Sequence, residues 1–146
     1  MLRQARNLLI TGSSGAGKTY IANALCTAAL HQQRTVKYIR ANTLIQESEK
    51  ARMASSSYDF VNQLAAFDLL VIDDFGLMEL DFTKCRDLFE VIESRDCRKS
   101  TMIISQFPVK RWWDFFKDST YADACLSRMT FKAYRLECNG HDMRQP

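Results

Sequence analysis

Two short stretches carry residues able to do chemistry together. Residues 12–19 read GSSGAGKT and residues 69–76 read LLVIDDFG. The first fits G-x-x-x-x-G-K-[ST] at every fixed position. Glycines let backbone N–H groups turn inward around an anion. A helix starting where the loop ends aims its positive end at the same place. Gly12, Ser13, Ser14, Gly15, Ala16, Gly17, Lys18, Thr19 and Tyr20 are therefore the candidate nucleotide-binding residues. Lys18 offers a charge to the β and γ phosphates, and Thr19 offers a hydroxyl to Mg2+. The second stretch sets two carboxylates side by side, and like charges that close call for a cation. Mg2+ prefers oxygen ligands and keeps most of its waters. Asp73, at the strand end, becomes the metal ligand, directly or through one water. Asp74 becomes the residue that orients the water attacking the γ-phosphate, with a turn cap as its alternative. The chemistry implied is ATP hydrolysis, with ATP and Mg2+ as cofactors.

Two further polar positions stand at element ends. Gln106 follows the apolar run TMIIS and has both a donor and an acceptor with which to orient water. It could equally cap the strand end. Arg128 lies in ADACLSRM, where Ala122, Cys125, Leu126 and Met129 form an inward-facing helical stripe. Arg128 falls off that stripe and is expected to point away from the domain. There it is either a solvated surface arginine or one delivered to a neighbour's phosphates.

The elements that must position these groups alternate. Strands are expected at 7–11, 35–40, 69–73, 101–105 and 133–138. Helices are expected at 18–30, 81–94 and 122–129, with 41–64 polar and partly helical. This alternation predicts an α/β domain of three layers, α/β/α, around a five-stranded, mostly parallel sheet. The strand 69–73 is apolar on both faces, as a buried parallel strand requires. The interval between Lys18 and Asp73 leaves room for a further strand–helix unit. That suits the ATPase branch of the P-loop NTPases and leaves a small-molecule P-loop kinase open.

Bulk properties bound the rest. The chain has 146 residues, 47% hydrophobic and 25% charged, with net charge +3. One domain, 1–146, with one sizeable core is expected. Residues 1–40 hold all their charge as lysine and arginine, so that part is expected to face phosphates. Cys26, Cys85, Cys97, Cys125 and Cys138 are scattered without a CxxC pair, which reads as reduced thiols in a cytoplasmic protein. His31 and His141 lack ligand spacing for zinc. The sequence holds no apolar run long enough to span a membrane and no signal-peptide pattern.

Taken together, GSSGAGKT, LLVIDDFG, STMIISQFPVKRWW, ADACLSRM and RLECNGHDMR resemble one family. It is the IstB-type transposition helper ATPase, a relative of the DnaC helicase loader within the AAA+ class. The resemblance implies an AAA+ P-loop NTPase acting with a transposase on DNA, or, as the alternative, a DnaC-like loader acting with a replicative helicase. It implies head-to-tail homo-oligomers with each nucleotide at a subunit boundary. It gives Lys18 and Thr19 the Walker A roles, Asp73 and Asp74 the Walker B roles, Gln106 the sensor I place and Arg128 the arginine-finger place. Arg144 is implied as a nucleotide sensor. Lys37, Arg40, Lys50 and Arg52 lie where the family's DNA-facing surface falls, with a solvated mixed-charge face as the alternative. Trp112 and Trp113, beside Phe115 and Phe116, are expected to pack rather than stack on bases.

The sequence departs from the family in two places. Members carry a helical segment ahead of the first strand, which here is expected at Asn7, so the chain is expected to lack that module, either as a fragment or by its loss. His141–Asp142 stand where the family's terminal motif has Glu-Ser. Assembly and partner binding are the properties these departures touch. Without assembly the chain would be a module that binds nucleotide and does not hydrolyse it.

Overall fold

Five strands form one sheet: β1 (Leu8–Gly12), β2 (Val36–Arg40), β3 (Leu69–Asp73), β4 (Ser100–Ser105) and β5 (Tyr134–Cys138), in the order β2-β3-β4-β1-β5. The computed structural model describes residues 1–15 and 17–138. Ala16, His141, Asp142 and Arg144, and whatever was expected of them, lie outside the described residues. Every described strand pairing is parallel, where "mostly parallel" was expected. The helices are α1 (Lys18–His31), α2 (Ala41–Met53), α3 (Ser57–Ala65), α4 (Phe82–Arg95) and α5 (Ser119–Thr130).

The three central strands, β1, β3 and β4, bury both faces, and their successive residues alternate between two cores. The edge strands β2 and β5 stay mostly half-buried or exposed. Leu8, Ile10, Leu69, Val71, Met102 and Ile104 form the core beneath α1. Leu9, Leu70, Ile72 and Ile103 join the larger core beneath α2 to α5. Burying one such side chain contributes roughly 1.5–3 kcal/mol, an upper figure for a chain that is partly collapsed when unfolded. These apolar strands hold the sheet rigid, so groups at its tips are placed by the fold.

Local signals explain the helix ends. The Asp81 carboxylate accepts from the Lys84 N–H at 2.9 Å to start α4, and Asp118 accepts from Tyr121 N–H at 2.9 Å to start α5. The polar stretch 41–64 is not one helix. It breaks between α2 and α3, where Ser55 takes a left-handed φ of 55° without a glycine or proline to mark the turn.

A short 3-10 segment, Val109–Phe115, follows β4 and carries the aromatic residues. Trp112 is fully buried, lies edge-on to Phe75 at 5.1 Å and donates from Nε1 to the Phe107 carbonyl. Packing is therefore the role of Trp112, Phe115 and Phe116. Trp113 remains 41% exposed. No helix among the described residues is long and apolar enough to cross a membrane.

Candidate functional site

All strand C-termini meet at one edge of a parallel sheet, and the phosphate loop leaves β1 at that edge. Gly12 ends β1 so close to β5 that an added Cβ would collide with the Cys138 backbone carbonyl. Gly17, left-handed at φ 95°, turns the loop into the N-terminus of α1. Lys18 folds back over the loop, where its Nζ donates to the carbonyls of Gly12 and of Ser13, the latter at 2.9 Å. Burial lowers the Lys18 pKa from the ordinary lysine value, while Asp73 and Asp74 pull it upward.

The carboxylates arrive from β3. Asp74 takes a left-handed φ of 56°, a conformation aspartate tolerates better than most residues. Its N–H donates to Asp73 Oδ1 at 2.7 Å. The Phe75 N–H then donates to the Ile104 carbonyl at 3.0 Å, and the Ser105 hydroxyl donates to the Phe75 carbonyl at 2.6 Å. These bonds stitch the tip of β3 to the tip of β4, which sets Gln106 beside the carboxylates. Gly76 completes the turn. A Cβ there would sit 2.5 Å from the Phe115 ring, so the aromatic cluster packs directly under the acidic tip.

One cleft of about 690 Å3 collects these groups: Ser14, Gly15, Gly17, Lys18, Thr19, Tyr20, Asn23, Asp73, Asp74, Ser105 and Gln106 line it. Gly12 and Ser13 stand behind as the carbonyl partners of Lys18. The donor set suits Mg2+ held between protein and nucleotide. It offers the Thr19 hydroxyl and Asp73, whose carboxylate keeps lone pairs beyond the two bonds it accepts. Among the described residues there is no cluster of three or more acidic, histidine or cysteine side chains that would make an all-protein cage. Magnesium sites typically complete their shell with water and phosphate instead.

Three further residues border this site: Tyr38, Arg40 and Asn23. No motif marks Tyr38 or Asn23, and Arg40 was expected to face DNA. Tyr38, on β2, donates its hydroxyl to Asp73 Oδ2. Burial and this bond hold the phenol protonated, far above the ordinary tyrosine pKa. Arg40, also on β2, lies 3.7 Å from Asp74. Asn23 reaches the cleft from the second turn of α1. An alternating Tyr-x-Arg pattern on a strand adjoining the acidic one was the signal available for the first two.

The remaining candidates lie elsewhere. Arg128 does not point off the domain. Its long side chain lies back along α4, ion-paired with Glu93, 3.9 Å from Asp96 and over the Phe89 ring. It is also at the opposite edge of the sheet from the cleft. Asn7, which precedes β1, donates to the Arg128 and Met129 carbonyls at 3.3 and 3.2 Å. The phosphate loop begins a whole strand away, about 16 Å at the usual rise. The four basic residues expected to face DNA do not form one free patch. Arg52 pairs with Asp87 at 3.1 Å and Arg40 neighbours Asp74. Lys37 borders a separate groove containing Glu47 and Phe60, and Lys50 is exposed.

Comparison with known proteins gives a family and a fold. Residues 1–146 match the family described as IstB-like ATP binding protein. The chain is 40% identical over 144 residues to an insertion sequence ATP-binding protein of Sinorhizobium fredii, covering 99% of this chain and 58% of that one. It is 27% identical over 143 residues to the ATP-binding protein of insertion sequence IS232 from Bacillus thuringiensis, covering 98% and 57%. It thus spans somewhat over half the length of these relatives. Among solved structures, the DnaC helicase loader superposes with a TM-score of 0.79 at 20% identity, covering 95% of this chain and 81% of that one. The replication initiator DnaA bound to AMPPCP and single-stranded DNA gives 0.77 at 19% identity, covering 97% and 42%. At those identities the likeness is one of AAA+ fold.

Proposed function

We propose that this chain, which belongs to the IstB-like ATP-binding protein family, is the magnesium-dependent ATPase core of an insertion-sequence helper that acts with a transposase on DNA. The observation that carries the reading is the convergence of Lys18 and Thr19 with Asp73 and Asp74 on one cleft. On nucleotide binding, Lys18 exchanges the Gly12 and Ser13 carbonyls for phosphate oxygens. The loop N–H groups and the N-terminus of α1 hold the same anion. Thr19 and Asp73 would hold Mg2+, which when bound neutralises charge developing on the transferring phosphoryl group. Asp74 accepts a hydrogen bond from the attacking water, and Gln106 orients that water from the other side. Arg128 lies at the opposite edge of the sheet from its own cleft, so the arginine serving each cleft, worth roughly 10³–10⁵ in rate where one acts this way, comes from a neighbour in a head-to-tail assembly. The DNA association proposed here rests on the relatives being insertion sequence proteins and on Lys37 and Lys50, which form no ion pair among the described residues.

The test is phosphate release from ATP with no added acceptor, as a function of protein concentration, with and without duplex DNA. A rate per subunit that climbs with concentration and vanishes in Lys18→Ala supports the proposal. A rate independent of concentration removes the neighbour's arginine. Turnover only with a small-molecule acceptor would make the protein a kinase instead.

A further inference from the structure

Asp73 is held from two sides, and the two holds differ in kind. One is local and unavoidable: the N–H of Asp74, on Oδ1 at 2.7 Å. The other is a choice of the sequence: the hydroxyl of Tyr38, on Oδ2, from a different strand. β2 and β3 pair in register with Tyr38 opposite Val71 and Arg40 opposite Asp73. Tyr38 is thus the diagonal neighbour of Asp73, two positions away on the same face. A long side chain is needed to span that diagonal, and tyrosine spans it while ending in a donor.

We propose that Tyr38 is a positioning residue for the metal carboxylate: its hydroxyl fixes the rotamer of Asp73 so that the remaining lone pairs face Mg2+ in the cleft. The proposal rests on the assignment of Asp73 as a magnesium ligand and goes beyond it. Four features support it. Tyr38 is 41% exposed, so its ring is not needed to fill a core. Its hydroxyl has no carbonyl partner among the described residues and goes to the carboxylate alone. The bond leaves Oδ1 and Oδ2 with one acceptor site each, enough for a direct or water-bridged metal contact. Magnesium tolerates little deviation from octahedral geometry, so a carboxylate free to rotate binds it less well. A purely structural tyrosine would link β2 to β3, but those strands already share a full parallel ladder.

The test is the magnesium dependence of AMPPCP binding, followed by calorimetry, in the parent and in Tyr38→Phe. The ring is kept and only the hydroxyl is lost, and a melting curve on the same samples reads any change in packing. The expected result is a rise of about 10–100-fold in the Mg2+ concentration for half-maximal binding, as losing an outer-shell partner typically causes. Affinity in EDTA stays within about twofold. In an Asp73→Asn background, Tyr38→Phe adds nothing further, because the carboxylate it orients is gone. An unchanged magnesium requirement in Tyr38→Phe overturns the assignment. So does the same shift persisting in Asp73→Asn, or an equal loss of affinity with and without metal. A parent that shows no magnesium-dependent AMPPCP binding sinks the proposed function itself, a result distinct from these.

Discussion

The two edges of the sheet are built from the same polar residue types and treat them oppositely. At the C-terminal edge, Lys18, Thr19, Asp73, Asp74 and Gln106 line an open cleft, and their partners are exchangeable: a loop carbonyl, a tyrosine hydroxyl, an exposed arginine. At the N-terminal edge the polar groups close on one another. Arg95 is 1% exposed and donates to the carbonyls of Leu64, Phe67 and Ser100 and to the Thr101 hydroxyl at 2.6–3.0 Å. Burial lowers its pKa to about 10, which still leaves it charged at neutral pH. Asp68 accepts from the Thr35 N–H and pairs with Lys99. A buried polar network stabilises only when every member is satisfied, and among the described residues no buried side-chain polar atom at the N-terminal edge lacks a partner. The C-terminal edge keeps bonding capacity unused, which is what a ligand requires.

Arg128 is the residue that tests the contrast hardest, because it belongs to the closed edge and is proposed to act at the open one. Arg128→Ala should cut the rate per subunit in the assembled state by about 10³–10⁵. The melting curve should move by less than about 1 kcal/mol, since the ion pair it loses is partly exposed. Mixing Arg128→Ala with Lys18→Ala should restore turnover, each subunit supplying what the other lacks. No recovery on mixing would confine Arg128 to bracing α4 against α5. Asp74→Asn comes next. It should bind ATP as the parent does and lose about 10²–10⁴ in turnover with its melting curve unmoved. Parent-like hydrolysis would remove Asp74 from the water-orienting role. Arg95→Ala reverses the pattern. Stranding several buried carbonyls should cost about 3 kcal/mol, roughly 10 °C in Tm. ATP affinity of the folded protein should stay unchanged, and a parallel loss of affinity would show that the edges are coupled.

The open edge was more legible than the closed one, for a physical reason. GSSGAGKT and LLVIDDFG match patterns whose spacing follows from what a phosphate and a metal require, so the sequence alone singles out their residues and places Asp73 at the end of a strand. The alternation of apolar runs gave every strand of the sheet to within a residue or so. Arg95 obeys no spacing rule. At the end of α4 it reads as a solvated terminal arginine, and only the tertiary fold delivers the carbonyls of Leu64 and Phe67 from around the end of α3 and that of Ser100 from the start of β4. Tyr38 was hidden likewise, since its partner lies across a strand pairing that periodicity does not specify. The direction of Arg128 was misread because helical phase fixes where a Cβ points, not where a long side chain goes when Glu93 lies on the next helix. The Ala54–Ser56 break escaped notice because a left-handed serine leaves no mark as a glycine would.

The smallest expected effect concerns the closed edge and its charge. The Thr35 backbone N–H, followed by Lys99, lowers the Asp68 pKa below its ordinary 3.8. A carboxylate depressed by folding contributes stability above its unfolded pKa and loses it as pH falls through the folded value. Asp68→Ala should therefore cost about 1 kcal/mol at pH 7, allowing for its partial exposure. The gap between variant and parent should narrow as pH drops from about 4 towards 2. Denaturant midpoints at a series of pH values measure it. A gap constant across that range would mean that Asp68 holds the edge by shape and not by charge. Cleft residues offer the contrasting control: nucleotide should raise the parent and Asp68→Ala midpoints equally, because ligand binding at one edge adds to the satisfied network at the other without passing through it.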